Sequence, residues 1–170
     1  VTPLTDTEIL DLAQKDAFKY FWNYAETNSK LARERYHVDE TFVDVNLVTT
    51  GGSGFGLMTI LVGIERGFVT RSEAVARLNT SLTFLENADR FHGAWSHWIN
   101  GTNGNVVPFG TDDDGGDIVE TSFLCQGLLC IREYFKNGTP EEQALALKAD
   151  ELWKGVEWSW YTKGENAMYW

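Results

Sequence analysis

Two strongly apolar stretches of this chain, residues 54–64 (GFGLMTILVGI) and residues 122–131 (SFLCQGLLCI), carry no charge and constrain the fold most. A helix that is apolar on every side must be buried on most sides. Each follows a long polar connection, precedes a short link, and lies between segments that read as one-sided helices. Thr5-Asp6-Thr7-Glu8 has the spacing of a capping box and leads into Leu10, Ala13, Ala17, Phe21 and Tyr24, a helix expected to close near Glu26. Thr70-Arg71-Ser72-Glu73 opens a second, with the stripe Val75, Leu78, Leu82 and Leu85. Thr139-Pro140-Glu141-Glu142 opens a third, with proline at the first helical position and Leu145, Ala149, Leu152 and Val156 on one side.

The order is surface helix, long loop, buried helix, short loop, repeated. If the helices alternate up and down, both long loops share one rim with the N-termini of both buried helices, and binding residues would converge there. An α/α toroid, a closed double ring of helices, satisfies this pattern; a bundle or solenoid gives no reason for the loop asymmetry. A full ring of about twelve helices needs roughly 350 residues. The expected architecture is therefore all-α, with residues 1–170 forming the N-terminal part of a single (α/α)6 toroid domain. A short strand is expected around Phe42 to Val48 and a turn at Asn100-Gly101.

The net charge of −11 argues against nucleic acid or an anionic membrane surface as partner. A neutral or cationic partner is easier to accommodate, and a monomer is expected. No segment is long and apolar enough to span a bilayer. Val1-Thr2-Pro3 is not a signal peptide, although a leader already removed would leave no trace. Cys125 and Cys130, five apart on one helix, cannot bridge and read as small buried hydrophobes.

Residues 110–121 (GTDDDGGDIVET) place four aspartates, one glutamate and three glycines just ahead of the second uncharged stretch. Asp117 and Glu120 have the spacing of a capping box, Asp117 as N-cap and Glu120 reaching back from the third helical position. They also fall where the two long loops should meet, behind glycines that let a loop approach a ligand. Side chains three apart on a helix are about 5–6 Å neighbours, whereas an inverting glycosidase pair needs about 6.5–9.5 Å. These two are thus not the whole of an acid/base pair. Asp113-Asp114-Gly115-Gly116-Asp117 spells D-D-x-x-D, but two glycines argue against the helix a metal–diphosphate site requires. The same loop fails the EF-hand pattern, which needs glycine where Asp117 stands; a solvated acidic loop is the expectation, with a looser Ca²⁺ site as the alternative, and no cofactor is expected. Residues 51–56 (GGSGFG) lack the P-loop lysine and read as a tight entry into the first buried helix, with backbone N–H groups open to a ligand. Trp95, His97 and Trp98 suit a sugar platform, with ordinary core tryptophans as the alternative.

Taken together, FKYFWNY (18–24), TTGGSGFG (49–56), GIERGF (63–68), GAWSHW (93–98) and DIVETSFL (117–124) resemble the bacterial glycoamylase-type family, associated with glycoside hydrolase family 144. The resemblance spans most of the chain. It implies an (α/α)6 toroid with a central cleft, glycan hydrolysis, and endo-β-1,2-glucanase activity with inversion. It places Asp117 and Glu120 on the acidic pair lining the cleft, as candidate catalytic residues. Ser53, Phe55, Trp95, His97 and Trp98 fall on the cleft walls, and Asp114 joins them as a candidate substrate-binding residue. Further cleft carboxylates are expected beyond Trp170, and a periplasmic or secreted location. Glucoamylase-like cleavage of α-1,4-glucan and glycan binding without catalysis are the alternatives.

Overall fold

Three of the helices start where a threonine and a glutamate three residues later satisfy each other's backbone N–H groups. In the computed structural model, which describes residues 3–38 and 44–170, complete capping boxes open α1 (Asp6–Trp22), α3 (Arg71–Asn87) and α5 (Pro140–Lys154). The two uncharged stretches lie within α2 (Thr50–Glu65) and α4 (Ile118–Phe135).

α2 and α4 run side by side in the same direction, Gly51 meeting Glu120 and Gly54 meeting Phe123 and Gly127, and form an inner layer, with α1, α3 and α5 packed outside them. Leu57 and Ile60 of α2 and Leu124, Leu128, Ile131 and Phe135 of α4 join Leu78, Leu82 and Leu85 of α3 and Leu145, Ala149 and Leu152 of α5 in one core. This is an arc of an α/α toroid, as the loop pattern implied. Among the described residues, no helix is long and apolar enough to cross a membrane.

The glycines of residues 51–56 are not a loop entering α2; they form its first two turns. Glycine weakens an isolated helix, yet a Cβ on Gly54 would lie 2.1 Å from the Phe123 carbonyl oxygen, and one on Gly127 would lie 2.5 Å from that of Gly54. The two inner helices therefore touch backbone to backbone, and only glycine permits it.

The first helix departs from expectation at both its face and its end. Leu10 is 69% exposed, and the residue α1 buries is Phe18. Gly63 and Gly56 of α2 open sockets for Phe18 and Phe21, where a Cβ would come within 2.3 Å and 2.9 Å of the two rings. The helix stops at Trp22 rather than near Glu26. The reason is the Glu26 carboxylate, which is fully buried and accepts from the backbone N–H groups of Asn28 and Ser29 and from the Ser29 hydroxyl, holding a tight turn in place of another helical one.

Short strands tie the long connections together. β1 (Leu47–Thr49), β4 (Trp98–Asn100) and β5 (Val106–Val107) form an antiparallel sheet in the order β1-β4-β5, pairing Thr49 with Trp98 and Trp98 with Val107. β2 (Arg90–Phe91) and β3 (Ala94–Trp95) make a hairpin over His92 and Gly93. The expected strand at 42–48 begins at Leu47, while Phe42 and Val43 lie outside the described residues. The turn at Asn100-Gly101 is present, with the Asn100 side chain accepting from Thr102 N–H at 2.9 Å. The other strands of residues 89–116, two or three residues each, are too short to show a period of two.

Candidate active-site rim

The rim is held together by the WSHW segment, residues 95–98, which runs between the N-termini of the two inner helices. On one side Thr50 of α2 donates its backbone N–H to the His97 carbonyl at 3.1 Å and its hydroxyl to that of Ser96. On the other, the Asp117 N–H donates to the Trp95 carbonyl at 2.8 Å, and the Thr121 hydroxyl of α4 accepts from Trp95 N–H at 3.0 Å. Both helix N-termini and both long loops thus converge at one end of the molecule.

Asp117 caps α4 as expected. Its Oδ1 accepts from the N–H groups of Val119 and Glu120, each at 2.9 Å, and its Oδ2 accepts from His97 Nδ1 at 2.9 Å. Its side chain is 1% exposed, so these three hydrogen bonds are made away from solvent. Glu120 does not complete the box. Its Oε2 instead accepts the Gly51 N–H of α2 at 2.9 Å, so the carboxylate lies between two helix N-termini, a favourable place for negative charge. The first turn of α2 therefore does not leave the Gly51 N–H for a ligand. Oε1 of Glu120, half-buried, has no hydrogen-bond partner among the described residues.

Sequence reasoning singled out Asp114 and passed over Asp113. Asp114 is exposed on the acidic loop. Asp113 turns inward, 3.2 Å from His97 Nδ1, which it shares with Asp117. Burial, and then the neighbouring Asp117 carboxylate, push the Asp113 carboxyl above its ordinary range against the opposing pull of His97. The sequence signal for Asp113 was only its place among three consecutive aspartates, which does not say which one turns in. His97, Asp113 and Asp117 bring ligand atoms within 4.8 Å of one another and could hold a divalent cation, which would have to replace the hydrogen bonds they already make.

The wall candidates divide. Trp95 is completely buried, its indole N–H donating to the Leu85 carbonyl at 3.0 Å and the Arg90 guanidinium lying 4.0 Å over its ring. It is a core residue with no face to offer a sugar. Ser53 is buried too, donating to the Thr49 carbonyl at 2.7 Å and accepting from Ala32 N–H. Phe55 is 48% exposed and packs against Phe123. His97 and Trp98 both meet Phe109, the former stacked at 3.9 Å, the latter edge-on at 4.8 Å. Phe109 lines an open groove of about 690 Å³ with Phe91, residues 110–116 and Trp170.

No family model matches the chain. It is 55% identical to an endo-β-1,2-glucanase from Chitinophaga pinensis, solved in complex with sophorotriose and glucose, over 99% of this chain and 41% of that one, with a TM-score of 0.97. A β-1,2-glucanase structure from Parabacteroides distasonis matches at 48% identity, covering all of this chain and 24% of that one, with a TM-score of 0.91. The chain is homologous to these β-1,2-glucanases. An exo β-1,2-glucooligosaccharide sophorohydrolase (non-reducing end) of Parabacteroides distasonis is 49% identical over 168 residues, 98% of this chain. The chain spans 23% of the length of that curated relative. The resemblance read from the motifs at 18–24, 49–56, 63–68, 93–98 and 117–124 is thus a true relationship.

Proposed function

We propose that the protein carrying this chain is a bacterial glycoside hydrolase, monomeric and periplasmic or secreted, that cleaves a neutral β-1,2-linked glucan by inverting acid/base hydrolysis. Residues 1–170 form the N-terminal arc of its single toroid domain. The observation that carries the reading is Glu120, a partly exposed carboxylate held by the Gly51 N–H at 2.9 Å on the rim where the helix N-termini and both long loops meet. Nearly half-identical or better relatives described as β-1,2-glucan hydrolases support the substrate class.

In this mechanism Glu120 touches the substrate through Oε1, as a proton-transfer group or by orienting a sugar hydroxyl. A carboxylate there also stabilises oxocarbenium charge as it develops. Asp117 is a positioning residue: it fixes the first turn of α4, and with it Glu120, while its other oxygen sets His97. The partner carboxylate, about 6.5–9.5 Å away across the scissile bond, comes from outside residues 1–170. Asp114, Trp98, His97 and Phe55 contribute to the sugar-binding walls, and no cofactor takes part.

The test is reducing-end release from linear β-1,2-glucan, with starch alongside, by the full-length protein and its Glu120→Gln variant at matched melting temperatures. Cleavage of the β-1,2-glucan, slowed about a hundredfold or more in the folded variant, is the expected result. An active Glu120→Gln variant would make the carboxylate a purely structural link between α2 and α4. Cleavage of starch alone would overturn the linkage, and cleavage of neither the hydrolase reading.

A further inference from the structure

Two guanidiniums in this fold make the same arrangement, and one of them reaches the rim. Arg77 of α3 donates to the Phe21 and Trp22 carbonyls at the end of α1, at 3.3 Å and 2.6 Å, with its Cζ 3.8 Å over the Trp22 ring. Arg90 of β2 donates through Nε to the Gly93 carbonyl at 2.7 Å and through Nη2 to the Leu152 carbonyl of α5 at 3.0 Å. Its Cζ lies 4.0 Å over the Trp95 ring. The last turn of a helix carries the negative end of its dipole and favours a cation. Arginine suits the place because its flat face stacks on an indole while its edge donates in two directions, which a lysine ammonium cannot do.

The ring under Arg90 belongs to the residue that ties down the first turn of α4. The Trp95 carbonyl accepts the Asp117 N–H at 2.8 Å. The Thr121 hydroxyl accepts from the Trp95 N–H at 3.0 Å and donates to its carbonyl at 3.2 Å. Asp117 and Thr121 bracket Glu120, so the carboxylate stands on a turn fixed to Trp95 at both ends. Trp95 is in turn fixed from behind. Its indole N–H donates to the Leu85 carbonyl in the last turn of α3, and its ring is wholly buried. The hairpin that carries Arg90 is pressed against the end of α5, since a Cβ on Gly93 would lie 2.0 Å from the Gly155 carbonyl oxygen. A chain of contacts therefore leads from the ends of α3 and α5, through Arg90 and Trp95, to the turn that bears Glu120.

We infer that Arg90 is a positioning residue for the hydrolysis. Through the Trp95 ring it fixes the first turn of α4 against the ends of α3 and α5, and with it the place of the Glu120 carboxylate on the rim. The inference rests on the glucan-hydrolase reading and extends it to a residue that acts from behind the rim. Rate falls steeply when an oriented group is displaced, by roughly a hundredfold for about 1 Å at the reacting atoms. A side chain that merely stabilises the fold would leave the kcat of the folded molecules as it was.

The test measures kcat and KM on linear β-1,2-glucan for the full-length protein and its variants, each well below its own melting temperature. Arg90→Met keeps a long side chain without the fork, and Arg77→Met is the control, because Arg77 holds the end of α1 instead of Trp95. Arg90→Met should lower kcat about ten- to a hundredfold with KM little changed, while Arg77→Met should lose stability and keep its kcat. Thr121→Val, which unties Trp95 from α4, should lower kcat in the same way, and Thr121→Ser, which keeps the hydroxyl, should restore it. An Arg90→Met protein that melts earlier with kcat unchanged makes Arg90 purely structural and refutes the inference. A KM that rises as far as kcat falls refutes it too, since Arg90 would then shape the substrate-binding wall. So does an equal loss of kcat in Arg77→Met, which would mean a general loosening of the fold. Should Arg90→Met not fold, the Thr121 pair decides, and an unchanged kcat in Thr121→Val overturns the relay through Trp95. In all these cases a parent that cleaves the glucan leaves the hydrolase reading standing; a parent that does not cleave it overturns both.

Discussion

Glu120 of α4 accepts the backbone N–H of Gly51 in α2 at 2.9 Å. This one bond joins the N-termini of the two inner helices and fixes the carboxylate proposed to do the chemistry. Gly51 is buried, so its N–H has no ready substitute partner.

Structural and chemical roles of Glu120 should therefore separate by substitution. Glu120→Gln keeps an oxygen acceptor for Gly51 and should cost well under about 1 kcal/mol, whereas Glu120→Ala orphans a buried donor at about 1–3 kcal/mol. Denaturant unfolding of the two variants reads this difference directly. Equal stability of the two would mean that the contact contributes nothing to holding α2 against α4.

The backbone contact between α2 and α4 predicts a strong asymmetry among the glycines. Gly54→Ala sets a methyl group 2.1 Å from the Phe123 carbonyl oxygen. Overpacking of this kind costs typically about 1–3 kcal/mol and sometimes more, and here backbone must move. Gly110→Ala meets nothing within 4 Å and should be close to neutral. Thermal melts of the pair, with wild type, decide the matter; a neutral Gly54→Ala would show that the inner helices can part without penalty.

Glu26 predicts a dependence of stability on acid. Burial works against its charge, but hydrogen bonds from Ser29 and Asn28 outweigh it and hold the carboxyl below its ordinary range. A carboxylate whose folded pKa is depressed stabilises the fold fully above its unfolded value and loses that contribution as pH falls toward the folded one. Glu26→Gln should thus destabilise by about 1–3 kcal/mol at pH 7. The gap to wild type should narrow below pH ~4. A gap that stays constant from pH 7 to pH 3 would show that the charge on Glu26 is immaterial.

How much of this was legible beforehand can be judged from particular residues. The helix starts at Thr5, Thr70, Thr139 and Asp117 were readable, because a cap is a local contact between residues two or three apart. The inner position of α2 and α4 was readable too, from the absence of charge. What failed were statements about partners. Trp95 looked like a platform and is core; Leu10 looked like core and is exposed. Glu120 had the spacing of a capping box and instead reached another helix. Asp113 could not be told from Asp112 and Asp114 in a run of identical residues.

The sequence by itself determined the helices, their caps, the alternation of outer and inner layers, and the convergence of both long loops on one rim. These follow from periodicity, charge and chain connectivity, all of which act over short spans of chain. Only the tertiary structure decided which carboxylate is buried and which keeps an oxygen without a partner, which aromatic ring is core and which is exposed, and why the glycines of residues 51–56 stand in a helix. Those outcomes depend on contacts such as Gly51–Glu120 and Gly54–Phe123, between residues 69 apart along the chain, and no local pattern encodes which distant group will arrive.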